Sequence, residues 1–463
     1  MASAPDSKLS AQVAAQIEDS IHVNAWPANH CLGAEEHLSA RFGASRAVIR
    51  EAIAIAEWNG SVERRRGREG GVFVTPFSPN AAVGMLRNFL FLAGADLAGL
   101  LRARRLVEGA ILDLAMQRMA GVDYDRLAAI LPRKGEAADD RASLERLKSI
   151  VEHLADVAGS AGLKLFGSAL RHCFVDRVRT TTSDDRAYLA ASGTESALRL
   201  QQIEAILAAD RLAAIDLQGR AMGVWSDFVA DLPVEGLAST KIVERLSDPG
   251  HDALIYEFVR PLKKPEALAR AIAQTISSRQ LATGSRLGTE QALVSEFSVS
   301  RRVLREGVRI LQHFGVVEAE RGMRGGLVVA APSRDSLTGL LGRVSAVTGE
   351  DRAALWLLPE MLRDAASGIA AAQPEVRADF VAKASAVHDS SATVAHLLGD
   401  RTPAVAAGCI ATMLLPLLAA PGPDRPEHDW APVVEAIAAG DALLAARLAR
   451  TTMAVTVAAG AVP

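Results

Sequence analysis

The stretch SRAVIREAIAIAEWNGSVERRRGREGGVFV at residues 45–74 is matched at residues 300–329 by SRRVLREGVRILQHFGVVEAERGMRGGLVV. The two copies align without a gap at an offset of 255 residues. Over the wider windows 35–74 and 290–329, 17 of 40 positions are identical. Because an internal repeat of this kind is a repeated structural unit, the chain is expected to contain the same domain twice.

Each copy begins with the pattern of a short amphipathic helix. Ser45 and Ser300 stand where a helix starts, since a serine hydroxyl accepts hydrogen bonds from the exposed N–H groups of the first turn. Apolar residues then recur at helical spacing, which predicts one buried face. The predicted buried residues are Ile49, Ile53 and Ala56 in the first copy and Leu304, Val308 and Leu311 in the second. Gly60 and Gly315 are expected to end the two helices.

Two arginines lie on the opposite face of each predicted helix. Arg46 and Arg50 are four residues apart, as are Arg301 and Arg305, so each pair shares a face. The second copy adds Arg302 where the first has an alanine. Since arginine binds phosphate and pairs bidentately with guanine, these five arginines are predicted to contact DNA. A solvated surface is the usual role of a single arginine, but the repetition of the set in register favours DNA contact.

The flanking residues predict a helix-turn-helix followed by a wing. Leu38 and Phe42, like Leu293 and Phe297, predict a short helix before the arginine-bearing one. Downstream, alternating residues around a glycine-rich turn predict a β-hairpin. Its basic residues are expected to reach the DNA backbone or minor groove, and its glycines to allow close approach. The predicted wing contacts are Arg64, Arg65, Arg66, Arg68, Gly70, Gly71, Arg321, Arg324, Gly325 and Gly326.

These residues together resemble a known family. The series Gly33, Glu35, Leu38, Phe42, Ser45-Arg46 and Arg50-Glu51 is similar to the winged helix of GntR-type bacterial transcriptional regulators, and it recurs from Gly288 to Glu306. The resemblance implies that the DNA contacts include Ser45 and Ser300. Where relatives often carry arginine, however, this chain has Glu36 and Gln291.

The remaining residues resemble the helical effector domain called FCD, found in the FadR-like branch of that family. The segment 101–108 looks like its opening helix, and the segments 203–210 and 433–441 look like its closing helix. The resemblance implies a mainly α fold. Two winged helix-turn-helix domains with small β-hairpin wings would each precede an all-α helical bundle, in tandem.

Metal-binding FCD domains use an aspartate and three histidines, but this chain lacks that set. The first copy has Ser149, His153, Arg199 and Ala221 at the corresponding places, and the second has Val387, Ser391, Trp430 and Thr452. The histidines His388, His396 and His428 lie near the second set without completing it. Neither a metal nor another cofactor is therefore expected.

The candidate ligand-binding residues of the first bundle are Arg104, His153 and Arg199. If Arg199 points into the bundle, its guanidinium is suited to the carboxylate of a small anionic metabolite. The alternative is a salt bridge to Glu195 or Glu204, which is the more common role for such a residue. A bundle kept only for its packing surface is a third interpretation.

Charge and composition agree with a DNA-binding protein. The net charge of the 463 residues is −3, yet residues 41–68 hold seven arginines against three glutamates, and residues 296–324 hold six against four. Positive charge concentrated in the two repeats is what phosphate contacts need. The low aromatic content of 4% fits packed helices. Three distant cysteines argue against a disulfide framework, and the lack of a long apolar run predicts a soluble, cytoplasmic protein.

The repeat also predicts the domain organisation. The expected boundaries are 1–76 for the first winged helix, 80–230 for the first bundle, 231–265 for a linker, 266–331 for the second winged helix and 335–460 for the second bundle. The expected function is sequence-specific binding of double-stranded operator DNA, as a ligand-responsive repressor.

The chain would act as a pseudo-dimeric monomer or as a homodimer, with a small anionic metabolite as effector. The alternative is a module that binds a ligand or a protein and whose winged helices have lost DNA affinity. An enzyme is not expected, since the segments outside the repeats resemble short helical bundles.

Overall fold

The computed structural model describes residues 4–24, 26–58, 61–65, 67, 70–75, 79–132, 139–232, 237–247, 262–320, 326–330, 357–372, 374–386 and 430–460. Over these ranges the chain is mainly helical, and its strands form two small antiparallel sheets of three strands each. The predicted fold class is confirmed.

The first winged helix, called head one, contains α1 (Ala4–Val23), β1 (Cys31–Gly33), α2 (Glu35–Phe42), α3 (Arg46–Trp58), β2 (Val62–Arg65) and β3 (Gly71–Val74). Helices α2 and α3 form the predicted helix-turn-helix, and β2 pairs with β3 as the predicted hairpin. Ile49, Ile53 and Ala56 are completely buried, as the spacing predicts. They share one core with Val13 and Ile17 of α1.

Two elements of head one were not predicted. Helix α1 packs on α3, and strand β1 pairs with β3 to give the sheet order β1-β3-β2. In this pairing Cys31 lies opposite Phe73. A strand of three residues is too short to show a period-two pattern, so it could not be predicted from periodicity.

Helix α4 (Pro79–Leu92) follows head one, and bundle one comes next. Bundle one contains α5 (Leu97–Arg118), α6 (Gly121–Ile130), α7 (Asp140–Ala158), α8 (Ala161–Thr181), α9 (Asp185–Leu207) and α10 (Arg211–Ala230). Helix α5 packs against α7, α8 and α10, and α9 packs against α7 and α10. Phe174, Tyr188, Trp225 and Phe228 form an aromatic cluster between α8, α9 and α10. The segment 203–210, predicted as part of a closing helix, instead forms the end of α9 and the turn into α10.

Helix α11 (Ser239–Ser247) precedes head two. Head two contains α12 (Lys264–Ser278), β4 (Arg286–Gly288), α13 (Glu290–Glu296), α14 (Arg301–His313), β5 (Val317–Glu320) and β6 (Gly326–Val329). It repeats head one element for element, with sheet order β4-β6-β5. Leu304, Val308 and Leu311 are buried as predicted. Gly315 follows α14 with φ +67°, a left-handed conformation that suits a helix end, whereas Gly60 lies outside the described residues.

The described part of the second bundle, bundle two, contains α15 (Leu358–Ala370), α16 (Pro374–Ala386), α17 (Ala431–Ala439) and α18 (Ala442–Gly460). Helix α15 packs along α18, and α17 packs against α15, α16 and α18. Trp430 is buried just before α17. Val387 and Ser391 lie outside the described residues, as do His388, His396 and His428.

The chain divides into two compact units that do not follow the predicted domain order. One unit contains both heads together with α4 and α11, and the other contains bundle one and bundle two. Two differences from the predicted boundaries result. Helix α4, predicted as the start of bundle one, belongs with the heads, and α11 is a helix within the predicted linker 231–265. The remaining boundaries stay predictions.

Within the first unit, α4 packs against head two. The ring of Phe89 lies 6.3 Å from that of Phe314 in head two. The guanidinium of Arg270, on α12, lies 5.1 Å from the ring of Phe91 and donates to Asn88. Helix α1 also contacts α14 directly. The two heads therefore share one packed structure.

Candidate nucleic-acid interface

The two recognition helices, α3 and α14, start as the sequence predicts. The backbone N–H of Val48 donates to the Ser45 hydroxyl at 3.3 Å, and that of Val303 donates to the Ser300 hydroxyl at 3.3 Å. Each hydroxyl satisfies one of the N–H groups that a first turn leaves without a partner. Burial of the apolar faces then leaves the arginines on the exposed side.

In head one, both recognition-helix arginines form ion pairs with the start of α2. Arg46 lies 2.7 Å from Glu36, and Arg50 lies 2.6 Å from Glu35. The hydrogen bond and the charge of Glu35 raise the pKa of Arg50 above its ordinary value. Because these pairs are largely exposed, each contributes little stability, and phosphate groups can replace the carboxylates.

Head two keeps one of these pairs and loses the other. Arg305 lies 3.1 Å from Glu290, the counterpart of Glu35. Arg302 pairs with Glu306 on its own helix at 3.0 Å. Arg301 is exposed and has no ion-pair partner among the residues that the structure describes. The counterpart of Glu36 is Gln291, which carries no charge.

The described wing residues of head one are basic and held in place. Arg64 donates to Glu57 through two nitrogens, at 2.8 and 2.6 Å. Arg65 pairs with Glu63 at 2.6 Å and lies 4.4 Å from the ring of Phe73. The other predicted wing arginines, Arg66, Arg68, Arg321 and Arg324, lie outside the described residues, as does Gly325.

The described wing glycines have a clear role within the sheets. A Cβ on Gly71 would lie 3.1 Å from the carbonyl oxygen of Gly33, and one on Gly326 would lie 2.6 Å from that of Gly288. A Cβ on Gly70 would lie 2.7 Å from the backbone oxygen of Arg65. These positions therefore need glycine for packing against neighbouring backbone. Contact of the same glycines with DNA stays a prediction.

The sequence reasoning missed the acidic partners of the arginines. Glu35 recurs as Glu290 at the offset of 255 residues, and this repetition was the available signal for an ion pair with the recognition helix. The sequence reasoning also missed a stack on the surface of head one, in which Arg41 lies 4.8 Å from the ring of Trp26. The ring of His30 stacks on the same indole at 4.9 Å.

In bundle one, the structure brings together two of the three predicted ligand-binding residues. Arg104 and Arg199 are only 3% and 2% exposed, and both pair with Glu108. Arg199 reaches Glu108 at 2.6 Å, 91 residues away, and also contacts Glu195 at 3.3 Å. The salt bridge to Glu195, the alternative to a ligand, is thus present, and among the described residues no ion pair joins Arg199 to Glu204.

Glu108 is the centre of this buried cluster. Burial would raise the pKa of Glu108, but the charges of Arg104, Arg199 and Arg171 outweigh burial and lower it well below its usual range. Arg171 lies 3.5 Å from Glu108, with 26% of its side chain exposed. Burial lowers the pKa of this arginine. Three arginines thus face two glutamates, Glu108 and Glu195.

His153 does not join the cluster. Its Nε2 lies 3.1 Å from the backbone oxygen of Asp123, on α6. Ser149, one turn earlier, donates to the backbone oxygen of Glu145. His153 is therefore placed by a local contact between α6 and α7.

A capped helix with exposed arginines, a preceding short helix and a three-stranded sheet define a winged helix-turn-helix, the class to which both heads belong. The family model described as "Bacterial regulatory proteins, gntR family" matches residues 9–74 and 264–328. The chain therefore carries the GntR-family domain twice. The matched ranges begin within α1 and α12, which supports the assignment of those helices to the heads.

A curated relative supports the same assignment. The "Putative HTH-type transcriptional regulator RmpR" of Mycobacterium gastri is 29% identical over 152 residues, which cover 31% of this chain. The matched region spans 55% of that relative, or about half its length.

Two solved structures are also similar. Streptococcus agalactiae GntR has 16% identity and a TM-score of 0.27, with 46% of this chain and 97% of that protein covered. The Lar protein, described as controlling the expression of the Listeria monocytogenes agr system, has 15% identity and a TM-score of 0.19, with coverages of 48% and 97%. At these scores the two structures carry no argument, and the assignment of the two heads rests on the family-model match. Among the described helices, none has the length and apolar character needed to cross a membrane.

Proposed function

We propose that this chain is a DNA-binding transcriptional regulator that binds double-stranded operator DNA through both heads. The observation that carries this proposal is the recognition helix with its exposed arginines, present twice at the same offset. Ser45, Arg46, Arg50, Arg64 and Arg65 would make the contacts of head one. Those of head two would come from Ser300, Arg301, Arg302 and Arg305.

The two heads of one chain would act as a pseudo-dimer. Dimeric helix-turn-helix proteins place two recognition helices on successive turns of the major groove. Here α1 of head one contacts α14 of head two, and both heads lie in one compact unit of the same chain. One chain would therefore occupy one operator in the cytoplasm. Since the heads differ in sequence, the two half-sites are expected to differ as well.

The first test measures binding of the purified chain to its own upstream intergenic DNA between 50 and 200 mM salt. The double variants Arg46→Ala/Arg50→Ala and Arg301→Ala/Arg305→Ala are measured beside it. Each lost phosphate contact lowers the slope of log affinity against log salt by about 0.9. Each double variant is therefore expected to weaken binding and to reduce that slope by up to about 2.

The matched control is Arg211→Ala/Arg220→Ala, which removes two exposed arginines from α10 of bundle one. It should bind DNA as the wild type does. The proposal fails if the wild type shows no preference for its upstream DNA over an unrelated duplex of equal length. It also fails if the control loses as much affinity as the head variants.

Stoichiometry tests the pseudo-dimer. Sedimentation of the complex with a single operator duplex should give a mass of one chain per duplex. An obligate dimer with four heads on one operator would contradict the intramolecular version and leave DNA binding itself intact.

We further propose that the regulator is a repressor and that bundle one, as an FCD-like domain, responds to a small anionic metabolite. The supporting observation is that three arginines face two glutamates in the buried cluster, with Arg171 at its exposed edge. A ligand that binds one arrangement of the heads more tightly would shift DNA affinity. Thermal shift with a panel of small carboxylates and inorganic phosphate tests this step, with Arg171→Gln as the control variant. If no anion stabilises the wild type more than the variant, this bundle has a structural role.

The alternative function is a module that binds a ligand or protein and whose heads no longer bind DNA. The ion pairs that hold Arg46, Arg50 and Arg305 are the observation in its favour, because they occupy the side chains that DNA would need. The salt series separates the two functions, since this alternative predicts no effect of the head variants on any DNA affinity that remains.

A further inference from the structure

The two heads differ in the ion pair made by the first arginine of the recognition helix. In head one, the Glu36 carboxylate lies 2.7 Å from Arg46, and the two side chains are 69% and 65% exposed. At the same place head two has Gln291. The neighbouring pairs, Arg50 with Glu35 and Arg305 with Glu290, are the same in both heads. Among the ion pairs between the two helices of each head, the difference is therefore the partner of the first arginine.

This difference changes the charge that DNA would meet. A phosphate that approaches Arg46 must replace Glu36 and then lie close to a displaced carboxylate. The exposed ion pair itself is weak, but the carboxylate repels the phosphate backbone. In head two, Arg301 has no ion-pair partner among the described residues, and Gln291 has no charge to repel phosphate. The exposed Arg302 adds a further cation.

The charge of the wings differs in the opposite direction from that of the recognition helices, since head one has the more basic wing. Strand β2 of head one carries Arg64 and Arg65, and at the same places β5 of head two carries Ala319 and Glu320. Glu320 is exposed and pairs with Arg286 at 2.8 Å. The basic wing therefore lies in head one, where the Glu36 carboxylate pairs with Arg46 of the recognition helix.

We propose that the two heads divide DNA recognition between different elements. Head two binds mainly through its recognition helix, and head one binds mainly through its wing because Glu36 weakens the contact of Arg46. This inference rests on the proposed function. It identifies Glu36 and its counterpart Gln291 as the residues that determine how much each recognition helix contributes to DNA binding. The operator would then have one half-site bound closely in the major groove and one bound mainly at the wing.

The test is a reciprocal exchange in the full chain, with the upstream intergenic DNA as probe and salt between 50 and 200 mM. Glu36→Gln should raise affinity and add about one phosphate contact, which increases the affinity ratio between the two salt concentrations by about 3.5-fold. Gln291→Glu should lower affinity and reduce that ratio by a similar factor. Arg64→Ala/Arg65→Ala should weaken binding, whereas Glu320→Ala should not.

Asp19→Asn is the control for net charge, since it removes one exposed negative charge from α1 without contacting Arg46. Thermal melts establish that every variant is folded. If the wild type binds and Glu36→Gln binds no better than the wild type or than Asp19→Asn, the division of recognition is wrong while DNA binding stands. If neither the wild type nor any variant prefers the probe to an unrelated duplex, the proposed function is wrong. The division of recognition, which depends on that function, is then wrong as well.

Discussion

Glu108 is the residue on which the interior of bundle one depends. Its carboxylate pairs with Arg104 and Arg199, all three being buried, and Arg171 lies beside it. Removal of one partner from a buried ionic group leaves uncompensated charge, which costs about 3–5 kcal/mol. We expect Glu108→Gln to lower the free energy of unfolding by about that amount, as measured by urea denaturation with tryptophan fluorescence.

The matched control for this variant is Glu145→Gln, which removes an exposed carboxylate that pairs with Arg141 at 2.9 Å. Because an exposed pair of this kind contributes at most about 0.5 kcal/mol, the control should unfold almost as the wild type does. Equal effects of the two variants would contradict the central role of Glu108.

We expect His313, at the end of α14, to make the folding stability of head two depend on pH. Burial lowers the pKa of this histidine to about 4, whereas an unfolded histidine titrates at about 6.5. The unfolded chain therefore takes up the proton first as the pH falls. The stability that depends on neutral His313 is complete above about pH 6.5 and is lost between that pH and about 4.

Thermal melts at pH 7.5 and pH 5.0 test this dependence. The melting temperature of the wild type should fall more between the two values than that of His313→Gln, which has no imidazole to protonate. Parallel decreases in the two proteins would mean that His313 does not contribute to the acid sensitivity.

Among the secondary-structure elements, the wing sheets depend on close backbone contact at two equivalent glycines. A Cβ on Gly326 would lie 2.6 Å from the carbonyl oxygen of Gly288, and the equivalent distance for Gly71 is 3.1 Å. We therefore expect Gly326→Ala to destabilise head two more than Gly71→Ala destabilises head one. Hydrogen exchange of the amides in β3 and β6 measures this order.

The control for these glycine variants is Gly84→Ala on α4, where a Cβ meets nothing within 4 Å. An alanine inside a helix is favoured over glycine by about 1 kcal/mol, so this variant should be neutral or stabilising. Unchanged exchange of the β6 amides in Gly326→Ala would contradict a requirement for glycine at this contact.

At the scale of the unit that contains both heads, the packing of α4 on head two predicts that α4 and head two lose stability together. Phe89 and Phe314 are both buried, and a buried Phe→Ala change costs about 3–5 kcal/mol. We expect Phe89→Ala to reduce hydrogen-exchange protection in α14 of head two as well as in α4.

Phe42→Ala provides the comparison, since Phe42 packs only against the core of head one among the described contacts. It should lower protection in α2 and α3 and leave α14 unchanged. If Phe89→Ala leaves the protection of α14 unchanged, the packing of α4 does not contribute to the stability of head two.

Local patterns predicted the heads well because a cap, an apolar face and an arginine pair each depend on residues within one or two turns. The caps at Ser45 and Ser300 and the buried face around Ile49 are confirmed on this basis. The third strand at Cys31–Gly33 was missed because three residues carry no periodicity.

The presence of two winged helices follows from the repeat, because it preserves a short-range pattern of cap, core and charge. Contacts between residues far apart in the chain become known only from the folded structure, in which α4 lies in one compact unit with both heads and Arg199 pairs with Glu108. The ion pair of Glu36 with Arg46 likewise joins two different helices. Such contacts depend on which faces of the helices pack together, and the periodicity of a single helix carries no information about its partner.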